Sequence, residues 1–178
     1  VVLLSPAVWG WSSQPLPYKT TLWFAARLTG SKVYVPPDWL TKRVAPTDNR
    51  EELKAMGRDP LMVWGARSDT LFGLVAMMER AYHATGQIKV PALYLYGAHD
   101  EIIPKRPAFE AASRLKPGDR TVYYERGWHL MTRDHQGPKV WEDILTYVRD
   151  PEAPLPSGAP PIPKPRRQSA QATTSPGL

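Results

Sequence analysis

The sequence of 178 residues contains no cysteine. This absence excludes disulfide bonds, thiolate metal sites and a cysteine nucleophile, although it does not identify the compartment of the protein. Histidine is also scarce, with four residues and no closely spaced pair among them. We therefore expect no zinc site, because zinc is bound by Cys, His and carboxylate side chains at short spacings, and we predict no other cofactor.

Long apolar runs and concentrated charge are missing as well. No stretch is long and apolar enough to span a bilayer. Lysine and arginine outnumber aspartate and glutamate by 23 to 17, and the resulting net charge of +6 is spread along the chain. A dispersed excess of this size permits weak attraction to an anionic membrane surface, and we predict no nucleic-acid partner from it.

The composition that is present indicates a folded domain followed by a different segment. Apolar residues make up 42% of the chain and aromatic residues 10%, which is enough for a core. The chain opens on the apolar run "VVLL" without a Met, so we interpret it as a fragment. Residues 151–178 are rich in proline and contain no aromatic residue. We interpret residues 1–150 as a partial domain and residues 151–178 as a disordered tail.

Apolar runs of strand length alternate with stretches of helical spacing. Strands are predicted at residues 1–4, 90–96 and 120–125. Helices are predicted from an N-cap at Ser68 or Asp69 to about Gly86 and from about Pro107, and the apolar residues between Val140 and Val148 mark a last helix. This alternation predicts an α/β fold in which parallel strands are covered by flanking helices.

Residues 9 to about 67 interrupt the alternation and show no strand pattern. Most of the seven tryptophans lie in this segment: Trp9, Trp11, Trp23, Trp39 and Trp64. They are interleaved with proline, lysine and arginine. A segment inserted between a strand and the next crossover helix predicts a cap over one end of the sheet. Its aromatic residues are either the core of the cap or part of an apolar, partly wet surface.

Polar residues follow the second and third predicted strands, in "GAHD" and "RGWH". Ligands of open parallel sheets bind beyond the carboxyl ends of the strands, so we expect Asp100 and His129 to share one crevice. An aspartate bonded to histidine Nδ1 fixes the tautomer and leaves Nε2 to accept a proton. Taken singly, an aspartate after a strand is more often a turn residue or N-cap, and a histidine between apolar residues is more often a structural side chain. Their pairing at neighbouring strand ends favours an acid and a base.

The segments "VPALYLYGAHDEIIP" and "YYERGWHLMTRD" resemble the C-terminal part of an α/β-hydrolase. The resemblance is to the lysophospholipase and monoacylglycerol lipase group of serine hydrolases, and it extends from Val1 to about Arg149. It implies that Asp100 is the triad acid and His129 the base. It also implies a lipid ester substrate, such as a monoacylglycerol or a lysophospholipid, and favours a location in the cytoplasm or at the membrane periphery.

One motif of the group, the nucleophile elbow G-x-S-x-G, does not occur in this sequence. The nearest candidate, "GWSSQ", lacks the final glycine. In the group, the elbow precedes the strand that "VVLL" resembles, and the oxyanion hole would also come from that preceding part. The resemblance therefore implies that this chain carries the acid and base of a carboxylic ester hydrolase. We expect the chain alone to be inactive.

Three alternatives remain open from the sequence. Haloalkane dehalogenases and epoxide hydrolases share this fold but attack with an aspartate. A second alternative is a non-catalytic member that serves as a binding module. A third is an interaction protein that acts through its proline-rich tail. The sequence does not identify the acyl chain, the headgroup or the oligomeric state.

Overall fold

Helices and short strands alternate through the structure, a computed structural model that describes residues 1–37, 39 and 43–165. The elements in chain order are β1 (Val2–Leu4), α1 (Leu16–Leu28), β2 (Val33–Tyr34), α2 (Arg50–Arg58), β3 (Ala66–Arg67), α3 (Ser68–Ala84), a 3-10 turn (Thr85–Gln87), β4 (Leu93–Gly97), α4 (Lys105–Ala112), β5 (Arg120–Tyr124) and α5 (Gly137–Arg149). Within the described ranges, no helix is both long and apolar enough to cross a membrane.

The three predicted strands form one parallel sheet in the order β1-β4-β5. Every residue of the central strand β4 is buried, which explains its unbroken apolar sequence. On one face, Tyr94 and Tyr96 join a core with residues of α3 and α4. On the other face, Leu93 and Leu95 pack with residues of β5 and α5. This arrangement confirms the predicted α/β class.

Two helix starts differ from the predicted ones. α4 begins at Lys105 after Pro104, so that Pro107 lies in the first turn, where its missing N–H has no helical acceptor to lose. α3 begins at Ser68, with Arg67 in the N-cap position and no side-chain capping bond. Neither Ser68 nor Asp69 is therefore the cap, and Asp69 instead forms an ion pair with Arg67.

Residues 9–67, which we call the cap segment, contain the helices α1 and α2 and a small antiparallel ladder of β2 and β3. The sequence showed no strand pattern here because each of these strands is only two residues long. α1 packs along α3. Several large apolar side chains of the segment remain exposed, including Leu28 and Trp64. The residues between Pro37 and Arg43 lie outside the described part, apart from Trp39.

The structure differs from the predicted disordered tail over residues 151–165. This stretch returns across β5, where Tyr123 N–H donates to Pro160 O at 2.7 Å. Ile162 is buried in the same core as Tyr94 and Tyr96, and Arg120 Nη1 donates to the carbonyls of Pro151 and Ala153. The proline-rich composition predicted disorder, whereas a few apolar residues of this stretch pack against the domain. Residues 166–178 lie outside the described residues.

Candidate active site

Two glycines bring the loops after β4 and β5 together at the carboxyl end of the sheet. A Cβ on Gly97 would lie 2.5 Å from the backbone of Gly127, and a Cβ on Gly127 would lie 2.9 Å from Gly97 Cα. Any larger residue at either position would push the two loops apart. The approach lets His99 N–H donate to Gly127 O at 2.8 Å. The loops that carry Asp100 and His129 are thus locked to each other.

Asp100 and His129 meet in this crevice, with His129 Nδ1 2.9 Å from Asp100 Oδ2. The second oxygen, Asp100 Oδ1, accepts the N–H groups of Ile102 and Ile103 at 2.9 and 2.8 Å. The side chain of Asp100 is fully buried, whereas that of His129 is 21% exposed. Because a carboxylate only accepts hydrogen bonds, Nδ1 carries the proton of the neutral imidazole and Nε2 presents a lone pair. A histidine held in this way can act as a general base.

The other three histidines have different surroundings. His99 stacks on Trp128, with ring centroids 5.3 Å apart. His83 Nε2 lies 3.0 Å from Glu79 on the exposed surface of α3. His135 donates its backbone N–H to Asp48 at 2.9 Å. In the part of the chain that the structure describes, only His129 combines a buried carboxylate partner with a position at the strand ends.

An apolar cavity of about 540 Å³ opens beside His129. Its lining residues come from the cap segment and from the two strand-end loops: Val44, Ala45, Pro46, Leu53, Met56, Met62, Trp64, Ile102, His129 and Leu130. Among the described residues of this lining, His129 is the one ionisable side chain. An apolar pocket with a single convergent polar group fits a ligand that has a long apolar part and one reactive polar group.

A second cavity of about 430 Å³ lies between α4, the loop before β5 and Ile162. This cavity lies at the amino end of β5, whereas the Asp100–His129 pair lies at the carboxyl ends of β4 and β5. Lys116, Asp119 and Lys164 are among its lining residues. Over the described ranges, no cluster of three or more His, Cys, Asp and Glu side chains is arranged to hold a metal ion.

Sequence reasoning missed the side chains that tie the cap segment to the two loops. Asp134 is buried, and its Oδ1 accepts the hydroxyl of Thr47 at 2.6 Å while its Oδ2 accepts Trp128 N–H at 2.8 Å. Burial raises the pKa of Asp134, the two hydrogen bonds oppose this rise, and the negative charge of the nearby Asp48 adds to it. Glu101 accepts Ala45 N–H at 2.8 Å. The sequence shows Asp134 in the pair "RD", but no pattern in the sequence indicated a bond between Asp134 and the distant Thr47.

Comparison with known proteins identifies the family and the fold of the chain. Residues 1–136 match the hydrolase family described as serine aminopeptidase, S33. The fold is similar to the crystal structure of a monoacylglycerol lipase from Paleococcus ferrophilus, with a TM-score of 0.66 and 24% identity. The similarity covers 83% of this chain and 57% of the lipase, so the chain spans little more than half the length of that enzyme. No curated protein sequence matches.

The residues matched to the family include both strand-end loops and the whole cap segment. A parallel sheet with flanking helices and a family match over most of the chain lead to one assignment. The chain belongs to the serine aminopeptidase S33 family of α/β-hydrolases.

Proposed function

We propose that this chain supplies the acid and the base of a serine carboxylic ester hydrolase that acts on lipid esters. The observation that carries the proposal is the contact between Asp100 and His129, which lies at the mouth of an apolar cavity. A substrate of the monoacylglycerol or lysophospholipid type has one long acyl chain and one ester, and this combination matches the cavity. Residues 9–67 would act as the cap that forms most of the acyl site.

In the proposed reaction, Nε2 of His129 takes the proton of a serine hydroxyl as the serine oxygen attacks the ester carbonyl. The proton then passes to the departing glycerol or lysolipid oxygen, and an acyl-serine remains. Water gives a proton to Nε2, attacks the acyl carbon, and releases the fatty acid as the proton returns to the serine. Asp100 stabilises the imidazolium in both halves. The serine and the oxyanion hole would come from a part of the enzyme outside this sequence.

The first prediction concerns the two site residues in the intact enzyme. His129→Ala removes the proton acceptor, and Asp100→Asn presents the wrong imidazole tautomer, which we expect to lower kcat on the order of 10⁴. Because the members of a triad act as one unit, the double variant should be scarcely worse than the worse single variant. The measurement is kcat on a monoacylglycerol, with folding checked by circular dichroism. Near-normal turnover by Asp100→Asn would mean that Asp100 is only a turn residue.

A negative control and a labelling experiment distinguish this proposal from its alternatives. The 178-residue chain alone contains no G-x-S-x-G motif and should show no saturable hydrolysis of a short nitrophenyl ester. A fluorophosphonate should label the intact enzyme at a serine. An aspartate nucleophile, as in dehalogenases and epoxide hydrolases, would leave it unlabelled, and a binding module would show neither labelling nor turnover.

A further inference from the structure

One stretch of the cap segment, residues 45–49, is hydrogen-bonded to both loops of the site. It reaches the Asp100 loop through Ala45 N–H and the carboxylate of Glu101, 2.8 Å apart. It reaches the His129 loop through Pro46 O, which accepts Leu130 N–H at 2.8 Å. We call residues 45–49 the clamp. The clamp is thus the one described stretch of the cap segment with hydrogen bonds to the acid loop and the base loop alike.

Further bonds fasten the clamp to the residues after His129. Asp48 accepts His135 N–H at 2.9 Å, and Asn49 Nδ2 donates to Arg133 O at 3.1 Å. Both of these side chains lie near the surface, so water competes for their hydrogen bonds. The Thr47–Asp134 bond is different, because Thr47 is 1% and Asp134 4% exposed. Breaking it would leave a buried carboxylate oxygen without one of its donors.

Asp134 connects Thr47 of the clamp to the loop that carries His129. Its other oxygen fixes the N–H of Trp128, the residue before His129, at 2.8 Å. Pro46 fixes the N–H of Leu130, the residue after it. Both neighbours of His129 are therefore anchored to the clamp, one through Asp134 and one directly. An imidazole that must reach a nucleophile depends on such anchoring, since small misplacements of a catalytic group strongly lower the rate.

The clamp also forms part of the apolar cavity. Ala45 and Pro46 line the cavity, and Leu53 and Met56 of α2 continue the same wall a few residues further on. A ligand that fills the cavity therefore contacts the same stretch that holds the base loop. The clamp therefore contributes both to the proposed acyl-chain site and to the position of His129.

We infer that Thr47 and Asp134 are positioning residues, through which the clamp sets the orientation of His129 toward its nucleophile. This inference rests on the proposed function for its kinetic consequence, but the geometric part stands on the hydrogen bonds alone. Asp134→Asn is the conservative variant: its Oδ1 can accept Trp128 N–H, and its Nδ2 can donate to the hydroxyl of Thr47. Asp134→Ala and Thr47→Val break the link.

The test uses the intact enzyme, with active sites counted by fluorophosphonate labelling. On a short nitrophenyl ester, Asp134→Ala should lower kcat per labelled site on the order of 10² at an unchanged KM. Asp134→Asn should restore most of the loss, and Thr47→Val should show a smaller loss of kcat. Glu51→Ala is the matched control, because its exposed carboxylate, among the residues that the structure describes, forms an ion pair with Lys54 on α2 and none with the clamp or the two loops. Its kcat should equal that of the wild type.

A second readout does not depend on hydrolysis. The downfield proton resonance of His129 Nδ1–H should be sharp in the wild type and Asp134→Asn and should be lost through exchange in Asp134→Ala. If the wild type shows the resonance but no turnover, the proposed function fails and the positioning role is judged by this signal alone. Wild-type kcat and a wild-type resonance in Asp134→Ala would overturn the inference. If that variant does not fold, Thr47→Val decides by the same two measurements.

Discussion

Asp143 illustrates at the residue scale how this fold accommodates a buried carboxyl group. It is fully buried in α5 and accepts the hydroxyl of Tyr124 at 2.5 Å and the backbone N–H of Ser157 at 2.8 Å. The hydroxyl of Ser157 also donates to it, at 2.5 Å. Burial and the bond to Asp143 both raise the pKa of Tyr124, so the phenol remains a donor. The three hydrogen bonds join β5, α5 and the stretch 151–165.

The prediction at this scale is that Asp143→Ala destabilises the protein by about 1–3 kcal/mol, because it leaves the buried hydroxyl of Tyr124 without an acceptor. Glu142→Ala is the matched control, since the neighbouring Glu142 is exposed. That substitution should change the free energy of unfolding by less than about 0.5 kcal/mol. Urea unfolding measures both values. Equal stabilities of the two variants would show that the Asp143 hydrogen bonds contribute nothing net.

Residues of the site differ in how far the sequence reveals them. The meeting of Asp100 and His129 could be predicted because each follows a recognisable strand and a glycine. Their catalytic roles stay a prediction. The bond of Asp134 to Thr47 could not be predicted, because 87 residues separate them and no periodic pattern relates an irregular cap to a loop. A contact of this kind follows from tertiary packing alone.

At the element scale, the segment 151–165 covers the outer edge of β5. Tyr123 N–H donates to Pro160 O, and Ile162 N–H donates to the hydroxyl of Thr121 at 3.1 Å. An uncovered edge strand offers unpaired N–H and C=O groups to other chains. A proline-rich segment suits this place, since proline has no N–H to extend the sheet further. The composition that predicted disorder is therefore also compatible with an edge cover.

We expect Ile162→Ala to destabilise the protein by about 2–4 kcal/mol, because it removes a buried side chain that belongs to the core formed by β4 and α4. Lys164→Ala, two residues further on and exposed, is the matched control. Chemical denaturation gives the stabilities, and light scattering reports association through the loosened edge. A loss as small as that of the control would mean that the segment is only loosely attached.

For the whole molecule, the cap segment places an apolar surface next to the cavity. Leu61 lies in a turn, and residues 62–65 follow it without helix or strand structure. Met62 and Trp64 line the cavity, whereas Leu61 and Val63 point outward and are 86% and 83% exposed. The excess of positive charge, +6 over the chain, would favour weak attraction to anionic lipid if this surface met a membrane. The sequence indicated such a surface through its tryptophans but not which residues would form it.

The last prediction is that this surface contacts the membrane and brings the cavity to the lipid. Replacing Leu61 and Val63 together by Asp should lower partitioning onto vesicles of phosphatidylglycerol and phosphatidylcholine roughly tenfold or more, because the apolar contact with lipid is lost.

Val148→Asp is the control, since Val148 is 68% exposed on α5, outside the cap segment. Co-sedimentation at low and high salt measures the partitioning. Raised salt should weaken the wild type only in part, because screening removes the electrostatic attraction and leaves the apolar contact. Equal binding of the cap variant and the Val148 variant would place the membrane contact elsewhere.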